Sequence, residues 1–380
     1  MDFELSAKEK EIQARARTLA EEMAAEAARL ERQGAFPEPV FRRFAAAGMC
    51  GLALPREYGG SGLGYVSYCL AQMELAQVSP SAALLVHLNH SLTGMALARF
   101  GTPAHKERFL PALARGEALG FFALTEPMAG SDPGGMATVA RRQGEVFYLS
   151  GTKNFVTAGD RAKIGVVFAL TAPEKGAKGV SAFLVEPGAT SGLTISPPEE
   201  KISLKGAVSV TLQFQEAPVP AENLLGAAEE GLKIALTVLD GARVGAAAQA
   251  VGLGQAALRY ALNHARSRQQ FGQPLAQFQA IQFKLADLAT ELEAAALLTL
   301  KAAWLRDQGR PYSAAAAMAK GFATDAAMHA TVEAVQICGG YGLLTENPVA
   351  RLFEDAKAGQ IYEGTNEIMR LIIARDLLKS

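Results

Sequence analysis

VARRQGEVFYL at 139–149, IGVVFALT at 164–171, GVSAFLVEP at 179–187 and VSVTLQFQEAPVP at 208–220 are short runs rich in Val, Phe and Thr, set apart by Gly and Pro. Runs of this composition between turn residues predict strands. On either side the period changes. Upstream, apolar residues recur three and four apart, as at Ile12, Ala16, Leu19 and Met23, which predicts helices from residue 6 to about 118. Pro37 and the PREYGGSGLG stretch at 55–64 interrupt them. SAALLVHLNHSLTGMALARF at 81–100 is apolar on nearly every side and predicts a helix buried all round. Downstream, helical patterning returns over 228–268, 276–308, 312–336 and 366–378. Strands and helices are segregated rather than alternating, which disfavours a doubly wound parallel sheet and a Rossmann mode of holding a nucleotide. The expected fold class is α+β in three domains: a helical amino-terminal domain at 1–118, a middle antiparallel β domain at 119–226, and a carboxyl-terminal helical bundle at 227–380.

Charge and cysteine content exclude several functional classes. Lys and Arg number 37 against 38 Asp and Glu, a net charge of -1, so no global field favours nucleic acid or an anionic membrane. No apolar run reaches the roughly 18 residues of a membrane span. The start, MDFELSAKEKEIQARARTLAEEM, lacks the basic head and apolar core of a secretory signal. The expectation is a soluble cytoplasmic protein without membrane insertion. Cys50, Cys69 and Cys338 are far apart and read as reduced thiols. His87 and His90 lie three apart in an apolar helix with no third ligand and no HExxH pattern, so they read as core or pocket-floor residues and no metal is expected.

Three segments carry chemistry. In ALTEPMAGSD, 123–132, the hydroxyls of Thr125 and Ser131 and free N–H groups around Gly130 suit a flat heteroaromatic ring or a phosphate. In QICGGYGLLTENPVARLFED, 336–355, Gly339, Gly340 and Gly342 end a helix and let the backbone approach something closely. In IYEGTNE, 361–367, Glu363 has the chemistry of a general base, Gly364 permits close approach, and Thr365 reads as the cap of the next helix.

The first two segments resemble the two signatures of the acyl-CoA dehydrogenase family at every defined position, and the chain is similar to its short- and medium-chain branch. KNFVTA at 153–158, PAENLLG at 220–226 and RSRQQFG at 266–272 fall where that family places them. The resemblance implies FAD held between the β domain and the carboxyl-terminal helices. Phe122, Leu124, Thr125, Gly130, Ser131, Phe155 and Thr157 correspond to positions around the flavin ring, where Phe155 replaces a more usual Trp. Arg268, Phe271, Gln336, Gly339 and Gly340 correspond to positions reaching a neighbouring subunit's FAD, and Thr365 and Glu367 to further cofactor positions. Ser131, Asp240, Arg243, Tyr362 and Gly364 correspond to substrate positions. SLKGA at 203–207 departs from the family's pattern and loosens expectations for local β-domain contacts.

In most of the family the base is the glutamate of TyrGluGlyThr, here Glu363. A minority place it on an earlier helix, where this chain has Ala242, which cannot act as a base. An arginine that glutaryl-CoA dehydrogenases use for a distal carboxylate is replaced by Ala83. The implied reaction is α,β-dehydrogenation of an acyl-CoA to the trans-2-enoyl-CoA, with electrons passed to an electron-transfer flavoprotein by a homotetramer built from dimers. An acyl-CoA oxidase or flavin monooxygenase on the same scaffold, or a non-catalytic acyl-CoA-binding protein, are the alternatives.

Overall fold

The computed structural model describes residues 4–379; the first three residues of the amino-terminal stretch read above lie outside them. Helix α1 (Ala7–Gln33) begins in a capping box. The Ser6 hydroxyl accepts from the Glu9 amide while the Glu9 carboxylate accepts from the Ser6 amide, and Gly34 closes the helix in the left-handed conformation. Ile12, Ala16 and Leu19 are buried and Met23 half-buried, as the period predicts. Helices α2 (Glu38–Ala46), α3 (Tyr65–Ala76), α4 (Pro80–His87), α5 (Met95–Phe100) and α6 (Pro103–Ala114) complete the first helical region. From Ser81 to Leu97 only Leu84 escapes full burial. This stretch is not one helix, however: between α4 and α5 it widens into a π-helical segment, Leu88–Gly94. Such wide turns often mark functional sites.

The strands follow: β1 (Gly120–Ala123), β2 (Val139–Gln143), β3 (Val146–Thr157), β4 (Ile164–Leu170), β5 (Val180–Val185), β6 (Leu193–Ile195), β7 (Ser209–Pro220) and β8 (Leu224–Leu225). They form one sheet in the order β6-β7-β3-β2-β4-β5-β8, with β1 also on β4. The expectation of an antiparallel sheet needs correction. β1 runs parallel to β4, with Phe121 opposite Gly165, and β2 meets β4 in parallel at Val139 and Leu170. The reason is local. A Cβ on Gly165 would stand 2.1 Å from the Phe121 ring, so the bare glycine lets that ring lie across the neighbouring strand. All residues of β4 and β5 are buried. Ile164, Val166, Phe168 and Leu170 face the helical core, while Val167 and Ala169 face the sheet's own core. Covering on both faces explains why IGVVFAL reads as an unbroken apolar run.

The chain then enters α7 (Gly231–Ser267), a small hairpin of β9 (Gln269–Gln270) and β10 (Gln273–Pro274), and helices α8 (Gln279–Asp307), α9 (Ser313–Cys338), α10 (Pro348–Gly359) and α11 (Asn366–Leu377). Helix α10 was hidden inside the second glycine-rich segment; its signal is the Asn347 cap ahead of Pro348. By length and composition α7 is apolar enough to cross a membrane, but 78% of its most apolar window is buried inside the protein. Its glycines set its packing. A Cβ on Gly252 would stand 2.1 Å from the Met73 carbonyl, and one on Gly245 would stand 2.5 Å from His87 Nδ1.

Candidate functional site

The loop between α10 and α11 is held in a strained conformation. Glu363 has φ +56° and Gly364 φ +96°, two consecutive residues in left-handed backbone. For a non-glycine residue this costs about 1–3 kcal/mol and persists only where the surroundings enforce it. They do so here. Arg243 Nε on α7 donates to the Glu363 carbonyl at 3.2 Å. Lys320 Nζ on α9 donates to the Gly364 carbonyl at 2.7 Å and to Asn366 Oδ1 at 2.9 Å. Arg243 is itself fixed by Asp240 Oδ1 at 2.6 Å, which also accepts from Ser313 Oγ at 3.0 Å. Burial pushes the Lys320 ammonium down to about 8, against the opposing pull of the Glu363 carboxylate. The Thr365 hydroxyl accepts from the Ile368 amide and caps α11, as predicted.

The Glu363 side chain is 6% exposed, and Oε1 lies 2.5 Å from His87 Nε2. His87 is fully buried, and its Nδ1 is 2.7 Å from the Tyr68 hydroxyl. Oε2 is buried with no hydrogen-bond partner among the described residues. The sequence reading missed this contact because the two residues are 276 positions apart and no spacing rule links them. His90 is different. Its Nε2 accepts from the Ala53 amide at 3.1 Å, its ring stacks on Tyr68 at 3.9 Å, and burial with nearby Arg306 pushes its pKa well below the usual range. No metal-binding cluster occurs among the described residues. Ala242 is fully buried beside Arg243. The Tyr362 hydroxyl donates to Gln249 Oε1 at 3.1 Å.

The predicted ring-binding residues gather at one side of the sheet. Asn154 donates its amide to the Thr125 carbonyl at 2.9 Å, joining the loop after β1 to β3. Below that contact lies a buried ion pair, which the sequence reading also missed. Lys153 Nζ is 2.6 Å from Glu126 Oε1 and 3.3 Å from the Leu124 carbonyl, while Glu126 Oε2 accepts from the Ala137 amide at 2.6 Å. Burial lowers the Lys153 ammonium to about 8. On this brace Phe155 stands 65% exposed at φ +56°, where β3 bulges against β7. Thr157 pairs with Ser209 on β7, Phe122 and Leu124 pack against the helical core, and Gly130 and Ser131 are exposed. An open-faced aromatic ring among hydroxyl and backbone donors fits a flat, partly apolar ring system with polar edges.

A second group forms around a cavity of ≈ 420 Å³ lined by Arg268, Gly339, Gly340 and Tyr341. The Arg268 guanidinium lies 5.5 Å from the Tyr341 ring centroid. A Cβ on Gly339 or Gly340 would meet nothing within 4 Å, so the bare backbone is open to an occupant. Gln336 is exposed near the end of α9. Phe271 is 94% exposed, and with Gly272 it holds positive φ in the β9–β10 turn. An arginine above bare backbone amides suits a pyrophosphate. Glu367 is exposed in the first turn of α11.

Residues 6–117, 121–217 and 229–378 match the models for the N-terminal, middle and C-terminal domains of acyl-CoA dehydrogenase. An acyl-CoA dehydrogenase of Bacillus subtilis (strain 168) is 44% identical over 357 residues, covering 94% of each chain. Butyryl-CoA dehydrogenase from Megasphaera elsdenii superposes with a TM-score of 0.97 at 41% identity, covering 100% of both chains. A chain in a structure described as the electron transferring flavoprotein of Acidaminococcus fermentans superposes at 0.98 and 41% identity, again over 100% of both. With all three domain models matched and a relative 44% identical over 94% of the chain, the chain belongs to the acyl-CoA dehydrogenase family of FAD-dependent oxidoreductases.

Proposed function

We propose that the protein removes the α- and β-hydrogens of a short-chain acyl-CoA, giving the trans-2-enoyl-CoA, with Glu363 as the base. The observation that carries this reading is the Glu363 carboxylate: buried, tied by one oxygen and unpartnered at the other. The α C–H bond breaks as its proton passes to Oε2. Arg243 and Lys320, gripping the carbonyls of residues 363 and 364, hold that oxygen in place while the reaction proceeds. FAD, when bound, supplies the acceptor for the β-hydrogen with its electron pair. Phe122, Leu124, Thr125, Gly130, Ser131, Phe155 and Thr157 would hold its ring, with Thr365 and Glu367 nearby. Arg268, Phe271, Gln336, Gly339 and Gly340 would hold the pyrophosphate end of a neighbouring subunit's FAD in a homotetramer. Asp240, Arg243, Tyr362, Gly364 and Ser131 would meet the substrate.

Likeness to butyryl-CoA dehydrogenase supports a short acyl chain, and likeness to a chain from an electron-transferring flavoprotein structure supports such a flavoprotein as acceptor. The division at 118/119 and 226/227 and a cytoplasmic location go with the same reading. The test is anaerobic bleaching of bound flavin by saturated acyl-CoAs from butyryl to palmitoyl. Bleaching fastest at the short end is expected. Glu363→Gln, which keeps shape and hydrogen bonding but not basicity, should slow it by at least about a hundredfold with FAD content unchanged. Wild-type bleaching by Glu363→Gln would require another base. Rapid turnover on molecular oxygen alone would identify an oxidase instead.

A further inference from the structure

We propose that His87 is a positioning residue: oriented by Tyr68, it donates Nε2–H to Glu363 Oε1 and keeps the other carboxylate oxygen aimed at the substrate. This rests on Glu363 being the base. Three observations carry it.

The first is the line of contacts itself, Tyr68 hydroxyl to His87 Nδ1 at 2.7 Å and His87 Nε2 to Glu363 Oε1 at 2.5 Å. The second is that α7 is cut away to admit it. A Cβ on Gly245 would stand 2.5 Å from His87 Nδ1, 2.6 Å from its Cε1 and 2.8 Å from the Tyr68 hydroxyl. The third is the unpartnered Oε2. One oxygen of the carboxylate is a tether and the other is left without a partner.

The proposed tautomer fits the surroundings. Burial pushes the Tyr68 phenol well above its ordinary value, so it keeps a proton to share between its neighbours Ser91 and His87 Nδ1. In the proposed line that proton goes to Nδ1, and the ring proton sits on Nε2, facing the carboxylate. The other titratable and charged groups packed around the pair are Tyr65 on α3, His90 one turn on, Arg243 on α7, Arg306 on α8 and Lys320 on α9.

A donor to the charged form stabilises the carboxylate, and it does not have to give up its proton. When the α-proton arrives on Oε2, Oε1 becomes the carbonyl oxygen of the acid and still accepts from Nε2–H. The bond therefore persists through the step and needs no reorganisation. What it supplies is a base held in one orientation.

His87→Leu should lower the anaerobic flavin-reduction rate by about tenfold or more, with acyl-CoA affinity little changed. It should also move the acid limb of the rate profile up, because a donor to the charged form of the base is lost. His87→Gln can donate to Glu363 and accept from Tyr68, and should restore most of the rate and the position of that limb. Tyr68→Phe removes only the hydroxyl and serves if His87→Leu fails to fold; the limb should again move up, by a smaller amount. A purely structural role would slow the enzyme without moving the limb.

A readout independent of turnover is the ¹⁵N spectrum of selectively labelled histidine, with His87 assigned by difference among the five histidines. A ring protonated on Nε2 is expected. A ring protonated on Nδ1 alone, or an acid limb unmoved in folded, FAD-replete His87→Leu or Tyr68→Phe, would overturn the proposal. Loss of bleaching in Glu363→Gln beside wild-type behaviour in His87→Leu would defeat this inference alone. Retained bleaching in Glu363→Gln would defeat the reading beneath it.

Discussion

Asp355, on α10, carries a carboxylate in a place that disfavours charge. Oδ1 accepts from the Leu204 amide at 2.6 Å, Oδ2 has no hydrogen-bond partner, and Arg351 Nε stops 3.9 Å away. Burial, reinforced by nearby Glu31, pushes the carboxyl up to about 7 from an ordinary 3.8. Because the folded value is the higher one, the folded state holds an extra proton between these limits. The group's contribution to stability is full at low pH and is lost as pH rises towards 7. Asp355→Asn keeps the acceptor for Leu204 and removes the charge. Its thermal midpoint should match wild type near pH 4 and exceed it at pH 8, by the equivalent of on the order of 1 kcal/mol or more. Equal midpoints at pH 8 would show that the carboxylate is better accommodated than its contacts imply. The same scale governs Gly245. Gly245→Ala must displace His87 or Tyr68 and should destabilise the protein by about 1–3 kcal/mol in urea unfolding, where an exposed helical glycine would gain from the change.

At the scale of elements, the π-helical segment Leu88–Gly94 ties the first helical region to the sheet through Thr93, whose hydroxyl donates to the Phe121 carbonyl at 3.0 Å, and above all through Asn89. Asn89 Nδ2 donates to the carbonyls of Leu113 and Ala118 at 3.3 and 2.8 Å, and its Oδ1 accepts from the Gly120 amide at 2.9 Å, at the start of β1. Asn89→Leu keeps the volume and takes the side-chain partner from the Ala118 carbonyl and the Gly120 amide, each worth about 1–3 kcal/mol when left unpaired in the interior, while the Leu113 carbonyl keeps the Gly116 amide. A loss of at least about 2 kcal/mol in urea unfolding is expected; a loss below half of that would mean water replaces the amide. Helix identity was legible in the sequence because an amphipathic period is a property of the chain alone. The π-segment was not, since SAALLVHLNHSLTGMALARF is apolar all round and carries no phase from which a widened turn can be read. The parallel β1–β4 pairing escaped for a related reason. Strand composition predicts extended backbone, but partner choice depended on Phe121 meeting a glycine at 165 in another strand.

For the whole molecule, Phe271 at 94% exposure, Leu343 at 75% and the open cavity beneath Arg268 lie together on the carboxyl-terminal helical region. On the proposed assembly this face meets a neighbouring subunit and its FAD. Arg268→Ala should then weaken FAD retention and tetramer formation together, measured as flavin content after gel filtration and mass by light scattering. Tight FAD in a monomeric wild-type protein would refute that picture. The sequence by itself determined the helix, sheet, helix order, because period is local to the chain; the roles expected of Glu363 and of the two glycine-rich loops came from contiguous motifs that resemble the acyl-CoA dehydrogenase family. Only the tertiary structure decided what Glu363 touches. His87 and Lys320 come from distant helices, and Lys153 on β3 meets Glu126 in the loop after β1, because a buried donor or charge is matched to whichever acceptor faces it once the apolar faces have closed.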